Sequence, residues 1–236
     1  DEINYAIQKK ILLINAESKS ELLEIERIAK IRNKTVNIGL RLNPNTNAKT
    51  LSQISTGKKE DKFGIPEKTF LKLAKYSINS NNLNLKCLSV HIGSQILDQR
   101  PYQKMLNVID KILKKMKYKF QYIDLGGGMG INYDNSKEKL NLNKYNSNIQ
   151  RFLKNNKSKI IFEPGRSIVG NAGFLISRII YIKEGYKKDF VILDAGMNDL
   201  MRPALYGAKH RLIPAKKNQN KFKKNYEFVG PICEST

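Results

Sequence analysis

Short runs rich in β-branched and other apolar residues recur at residues 11–14, 36–42, 86–91, 120–124 and 159–162, and the intervening segments carry apolar residues at helical spacing. Such alternation leaves few folds open, because parallel strands need long crossovers and helical crossovers are right-handed. Two layouts remain, a (β/α)8 barrel and an open doubly wound sheet. The helices carry their own marks. Ser18-Lys-Ser-Glu21 has the form of a capping box, whose hydroxyl satisfies an early backbone donor while the glutamate reaches back, and Leu22, Ile25, Ile28 and Ala29 follow as a buried stripe. Farther along, Pro101 suits a first helical turn, and Tyr102, Met105, Leu106, Ile109, Leu113 and Met116 line one face.

Chemistry-bearing residues end nearly every strand run: Arg41-Leu-Asn-Pro44, His91-Ile-Gly-Ser-Gln95, Asp124-Leu-Gly-Gly-Gly-Met-Gly130 and Glu163-Pro-Gly-Arg166. In a barrel the strand C-termini converge on one face, so residues spread over successive ends build a single site. An open sheet gathers its ligand contacts at one switch point instead. A barrel is therefore predicted, and a partial one, since five runs fall short of the eight that closure needs. Three adjacent glycines leave backbone N–H groups unshielded, fit to close around a phosphate, and the Glu-Pro-Gly-Arg corner adds a carboxylate and a guanidinium. Together the two loops point to a phosphorylated, nitrogen-containing cofactor.

After residue 170 the pattern changes. Residues 174–182 and 189–193 read as longer strands joined by 183–188, and 226–229 as another strand after a solvated loop at 215–225. The predicted organisation is a barrel portion over residues 1–170 and part of a β-rich domain over 171–236. The sequence predicts no membrane-spanning run, signal peptide or internal repeat. A formal charge of +22 raises the question of nucleic acid, but the lysines are scattered over several helices rather than gathered with aromatics in one tract, so a solvated surface and no specific nucleic-acid partner are expected. Two cysteines, Cys87 and Cys233, are too few for a disulfide framework and lack zinc-ligand spacing, which favours a reducing cytoplasm and no metal.

The ordered motifs already quoted, together with Asp194-Ala-Gly-Met-Asn-Asp-Leu-Met-Arg-Pro-Ala-Leu-Tyr206 and Gly230-Pro-Ile-Cys-Glu-Ser235, resemble those of the diaminopimelate decarboxylase family. The resemblance spans essentially the whole chain. It implies a fold-type III pyridoxal-phosphate enzyme, like alanine racemase a barrel followed by a β-domain, which decarboxylates meso-2,6-diaminopimelate to L-lysine and CO2 in lysine biosynthesis. It further implies that His91 stacks on the cofactor ring, that Glu163 pairs with the ring nitrogen, and that Gly126, Gly127, Gly128, Pro164, Gly165 and Arg166 hold the phosphate end. Arg166, Arg202, Tyr206 and Glu234 would bind substrate, and Cys233 would donate a proton from the partner subunit of a homodimer. By residue type alone, His91 also suits a satisfied core histidine, Cys233 a buried structural thiol and Glu163 a surface glutamate.

Two departures stand beside these matches. The resembled family's cofactor-anchoring lysine lies in a Tyr-Ala-x-Lys-like motif expected ahead of Asp1, and the rest of its β-domain is expected beyond Thr236, so a central fragment inactive alone is implied. Leu51 stands where relatives often place histidine. The alternatives are a related ornithine, arginine or carboxynorspermidine decarboxylase, or a non-catalytic gene product or binding protein on the same scaffold.

Overall fold

The computed structural model describes residues 1–48, 56–59, 61–133, 138–216 and 224–233. Its contacts divide into two units, one of Asp1–Ile131 with Lys139–Gly170 and one of Asn132–Glu138 with Asn171–Thr236.

In the first unit β1 (Ile14–Ala16), β2 (Val36–Arg41), β3 (Leu83–Ser89), β4 (Tyr122–Asp124) and β5 (Lys159–Ile161) pair in parallel, in the order of the chain. A doubly wound sheet would reverse that order at its switch point; an unbroken succession is the wall of a partial barrel. The helices α1 (Glu2–Gln8), α2 (Lys19–Ile31), α3 (Glu67–Ile78), α4 (Gln99–Met116) and α5 (Leu142–Asn155) alternate with the strands, and a short α6 (Arg166–Val169) follows β5. The first strand begins later than its apolar run suggested. Ile11 and Leu12 are about half exposed and belong to the approach from α1, which the sequence reading lacked.

Alternation within each strand sets two faces. Ile38, Leu40, Leu88 and Ile123 point into a core shared with Leu22 and Ile25 of α2, Phe70 of α3 and Tyr102, Met105 and Ile109 of α4. Each fully buried side chain of this size contributes about 2 kcal/mol. The opposite face is polar. Asn15, Gly39 and Cys87 stand in register across β1–β3, and the next row is Arg41, Ser89 and Asp124. A register shift beside Ile38 and Gly39 skips Lys86, so that Leu85 and Leu88 both reach the core while Cys87 and Ser89 face the other way.

The capping box forms with one change. Ser18 Oγ accepts from the Glu21 N–H at 3.1 Å, but the Glu21 carboxylate accepts from the N–H of Glu17, one residue before the cap. In α4, Pro101 sits in the first turn behind the N-cap Asp98, and Ile112 joins the buried stripe while Leu113 and Met116 pack at its margin.

The second unit holds a three-stranded sheet of β6 (Ile179–Lys183), β7 (Asp189–Leu193) and β8 (Tyr226–Val229), with β7 central, antiparallel to β6 and parallel to β8. The strand expected over 174–182 is shorter than predicted: Phe174 and Ile176 are 82% and 88% exposed and pair with no strand. A single turn, α7 (Arg202–Tyr206), lies between β7 and β8. No helix among the described residues is long and apolar enough to cross a membrane.

Candidate active site

The polar face of the first unit is organised around Asp124, which is 1% exposed at the end of β4. Its Oδ2 accepts from Asn15 Nδ2 at 2.9 Å and from Ser89 Oγ at 3.1 Å, and its Oδ1 accepts from the Gly126 N–H at 2.9 Å. Three strands thus converge on one carboxylate. Just past β1, Glu17 pairs with Arg41 from the end of β2 and accepts from the Gly64 N–H at 3.2 Å. The Arg41 guanidinium also lies 5.2 Å from the centre of the Phe63 ring.

Above this layer stand His91 and Glu163. The Gly127 N–H donates to His91 Nδ1 at 3.2 Å, which requires that nitrogen to be unprotonated and places a neutral ring's proton on Nε2. Burial first, and then the Arg41 cation, hold the imidazole below its ordinary pKa, in keeping with the neutral form. Glu163 counts as exposed, yet desolvation of its carboxyl, followed by the Asp124 charge and a hydrogen bond between the two carboxyls, pushes its pKa above the usual carboxylate range. Beneath them Cys87 is fully buried, and burial followed by the Asp124 charge pushes its thiol up to about 12. It is inert filler.

The glycine loop is shaped by its neighbours. Gly126 and Gly128 have φ of +62° and +83°, and a Cβ on Gly128 would fall 2.0 Å from the Gly93 carbonyl oxygen. Tyr102, buried in α4, donates its hydroxyl to the Gly127 carbonyl at 3.0 Å, and the Ile96 N–H donates to the Gly128 carbonyl at 2.9 Å. The N–H groups of Gly126 and Gly127 are engaged by Asp124 and His91, so the loop does not present three free donors to a phosphate as the sequence suggested. The Glu163 N–H donates to the Gly126 carbonyl at 2.9 Å, tying the Glu-Pro-Gly-Arg corner to the loop. Among the described residues beyond its chain neighbours, none lies within 4 Å of where a Gly165 Cβ would sit, and Arg166 Nη1 donates to Gln95 Oε1 at 3.0 Å.

A polar ligand fits these surroundings. Asn15 Oδ1 and Arg41 Nη2 are buried with no hydrogen-bond partner among the described residues, a costly state that a polar group at this end of the sheet would relieve. The structure therefore gathers His91, Gly126, Gly127, Gly128, Glu163, Pro164, Gly165 and Arg166 at one end of one sheet. Sequence reasoning assigned no role to Asn15, Glu17, Ser89 or Asp124. Their polar period-two alternation after apolar runs was the available signal.

The remaining candidates belong to the second unit. Arg202 opens α7 and Tyr206 closes it; Cys233 is exposed and unbonded, which overturns the reading of a buried structural thiol. Glu234 and Leu51 lie outside the described residues.

A parallel sheet in barrel order, with a carboxylate, a neutral histidine and a glycine loop at its strand ends, has the layout of a cofactor-binding α/β barrel. The family model described as "Pyridoxal-dependent decarboxylase, pyridoxal binding domain" matches residues 1–170, and the chain belongs to that family. It is 38% identical to a diaminopimelate decarboxylase of Aquifex aeolicus, with 99% of this chain and 56% of the relative covered. A Helicobacter pylori diaminopimelate decarboxylase is 40% identical over 100% of this chain and 58% of its own length. The crystal structure of the Helicobacter pylori enzyme complexed with L-lysine superimposes with a TM-score of 0.91 at 40% identity, covering 99% of this chain and 59% of that one. The chain thus spans a little more than half the length of these relatives.

Proposed function

We propose that this chain forms the central part of a cytoplasmic, homodimeric enzyme that uses pyridoxal 5'-phosphate to decarboxylate meso-2,6-diaminopimelate to L-lysine and CO2. The observation that carries this reading is that similarity to diaminopimelate decarboxylases runs through both units, at 38–40% identity over 99–100% of the chain, and so includes the segments bearing Arg202, Tyr206 and Cys233. Bound pyridoxal phosphate supplies an electron sink for the pair released when the carbon–carboxylate bond breaks.

This chain's residues would do the rest. Glu163 would pair its carboxylate with the protonated ring nitrogen. His91, fixed neutral by the Gly127 N–H, would lie against the ring face. Gly128, Gly165 and Arg166, with Gly126, Gly127 and Pro164 shaping the loop, would hold the phosphate end. Arg166 and Arg202 suit substrate carboxylates because a guanidinium fork matches a carboxylate's two oxygens, and Tyr206 would add a substrate contact. Glu234 would hold the distal ammonium. After CO2 departs, the carbon left with the electron pair would take a proton from Cys233 Sγ, whose exposure suits a thiol that acts on substrate.

The test is a completed enzyme, in which the segments flanking the matched region of the Helicobacter pylori relative are joined to Asp1 and Thr236. It should release CO2 and L-lysine from meso-diaminopimelate. Cys233→Ala should lower its rate by about a hundredfold to ten-thousandfold, and mixing that subunit with one lacking the anchoring lysine should restore part of the activity. Preference for ornithine, arginine or carboxynorspermidine would reject the substrate; no recovery after demonstrated subunit exchange would reject the shared site.

A further inference from the structure

Arg202 is held by groups to which the decarboxylation chemistry assigns no part. Its Nη1 lies 3.0 Å from His210 Nε2, and its guanidinium carbon lies 4.8 Å from the centre of the Tyr133 ring. Tyr133 and His210 in turn meet edge to face, with ring centroids 5.2 Å apart. All three belong to the second unit. The chain brings them together by a short device: α7 stops at Gly207, whose φ of +58° turns the backbone, and the Ala208 N–H bonds back to the Arg202 carbonyl, so that His210 returns alongside the first residue of the helix.

The chemistry of this contact has one solution. A guanidinium only donates, so Nε2 must accept and the imidazole must be neutral with its proton on Nδ1. A protonated ring would offer a donor and a positive charge to a cation at hydrogen-bond distance. Burial and the Arg202 charge both favour the neutral ring. Among the described residues, the charged or titratable groups facing it are Arg202 from α7 and the Tyr133 phenol; Lys209 and Arg211 flank it on its own segment and are exposed.

We propose that His210 is a positioning residue that holds Arg202 in its carboxylate-binding orientation only while its ring is neutral, so that capture of a substrate carboxylate is released by mild acid. This rests on Arg202 as a substrate-carboxylate residue. The chain's two histidines make a direct readout simple, since His210→Gln assigns the ring signals. In proton NMR titrations of the chain, His210 should titrate below the ordinary histidine value and move back toward it in Arg202→Gln.

In the completed enzyme, the KM for meso-diaminopimelate should rise about tenfold between about pH 8 and about pH 5.5, the scale of one hydrogen bond to a charged group. His210→Phe should show the raised KM throughout, with kcat little changed. His210→Gln, which keeps an acceptor that does not titrate, should rescue the KM and flatten its pH profile. An unmoved His210 titration in Arg202→Gln, or a wild-type pH profile in His210→Gln, overturns the proposal while leaving Arg202 its role. If Arg202→Gln itself leaves KM unchanged, the carboxylate reading of Arg202 fails and the proposal fails with it.

Discussion

Asp124 carries more of the site than any residue its motif advertises. Asp124→Ala leaves the Asn15 amide, the Ser89 hydroxyl and the Gly126 N–H without their acceptor, and should cost about 3 kcal/mol in urea unfolding. His91 and Glu163 could be singled out as candidates because each sits in a local motif. Asp124 was quoted only as a motif's first letter, since its partners Asn15 and Ser89 stand 109 and 35 residues away and meet it only through strand pairing. Glu163 gives a second prediction. Its carboxyl holds a proton more tightly in the folded chain than in the unfolded one, so its ionisation costs stability as pH rises from the ordinary carboxylate range through the raised value. Glu163→Gln should therefore raise the unfolding midpoint relative to wild type at about pH 7 and make little difference at about pH 3.5.

Glycines in the two strand-end loops are not equivalent. Gly128→Ala must accept a strained positive φ and a methyl 2.0 Å from the Gly93 carbonyl, and should lose more than about 2 kcal/mol by thermal or urea unfolding. Gly165→Ala, with an ordinary negative φ and open space, should stay within about 1 kcal/mol of wild type. The sequence marked both as loop glycines and could not rank them, because the difference lies in what approaches from Gly93. Strand positions were read to within a few residues for similar reasons. Ile11 and Leu12 look like strand but line an approach turn, and the skipped Lys86 is visible only once β2 and β3 are paired.

Exposed edges and apolar faces govern how the whole chain behaves. Among the described residues β1 and β5 each pair on one side only, and β6 exposes Ile179, Ile180, Tyr181 and Ile182 at 42–67%. Such edges and faces recruit partners, so the chain alone should self-associate, its sedimentation coefficient falling on about tenfold dilution. Replacing Ile180 and Ile182 by lysine should weaken that association; a concentration-independent monomer would contradict it. The assignment of Asn132–Glu138 to the second unit was not legible, since sequence proximity to the glycine loop argues for the first. The unbroken strand order has a consequence for biosynthesis. Each strand of the first sheet docks on the one made just before it, so the sheet can lengthen in step with translation, without waiting for distant chain. Asp124 leaves the ribosome after both Asn15 and Ser89, and the carboxylate arrives where its two side-chain donors already wait, the Gly126 N–H following two residues behind.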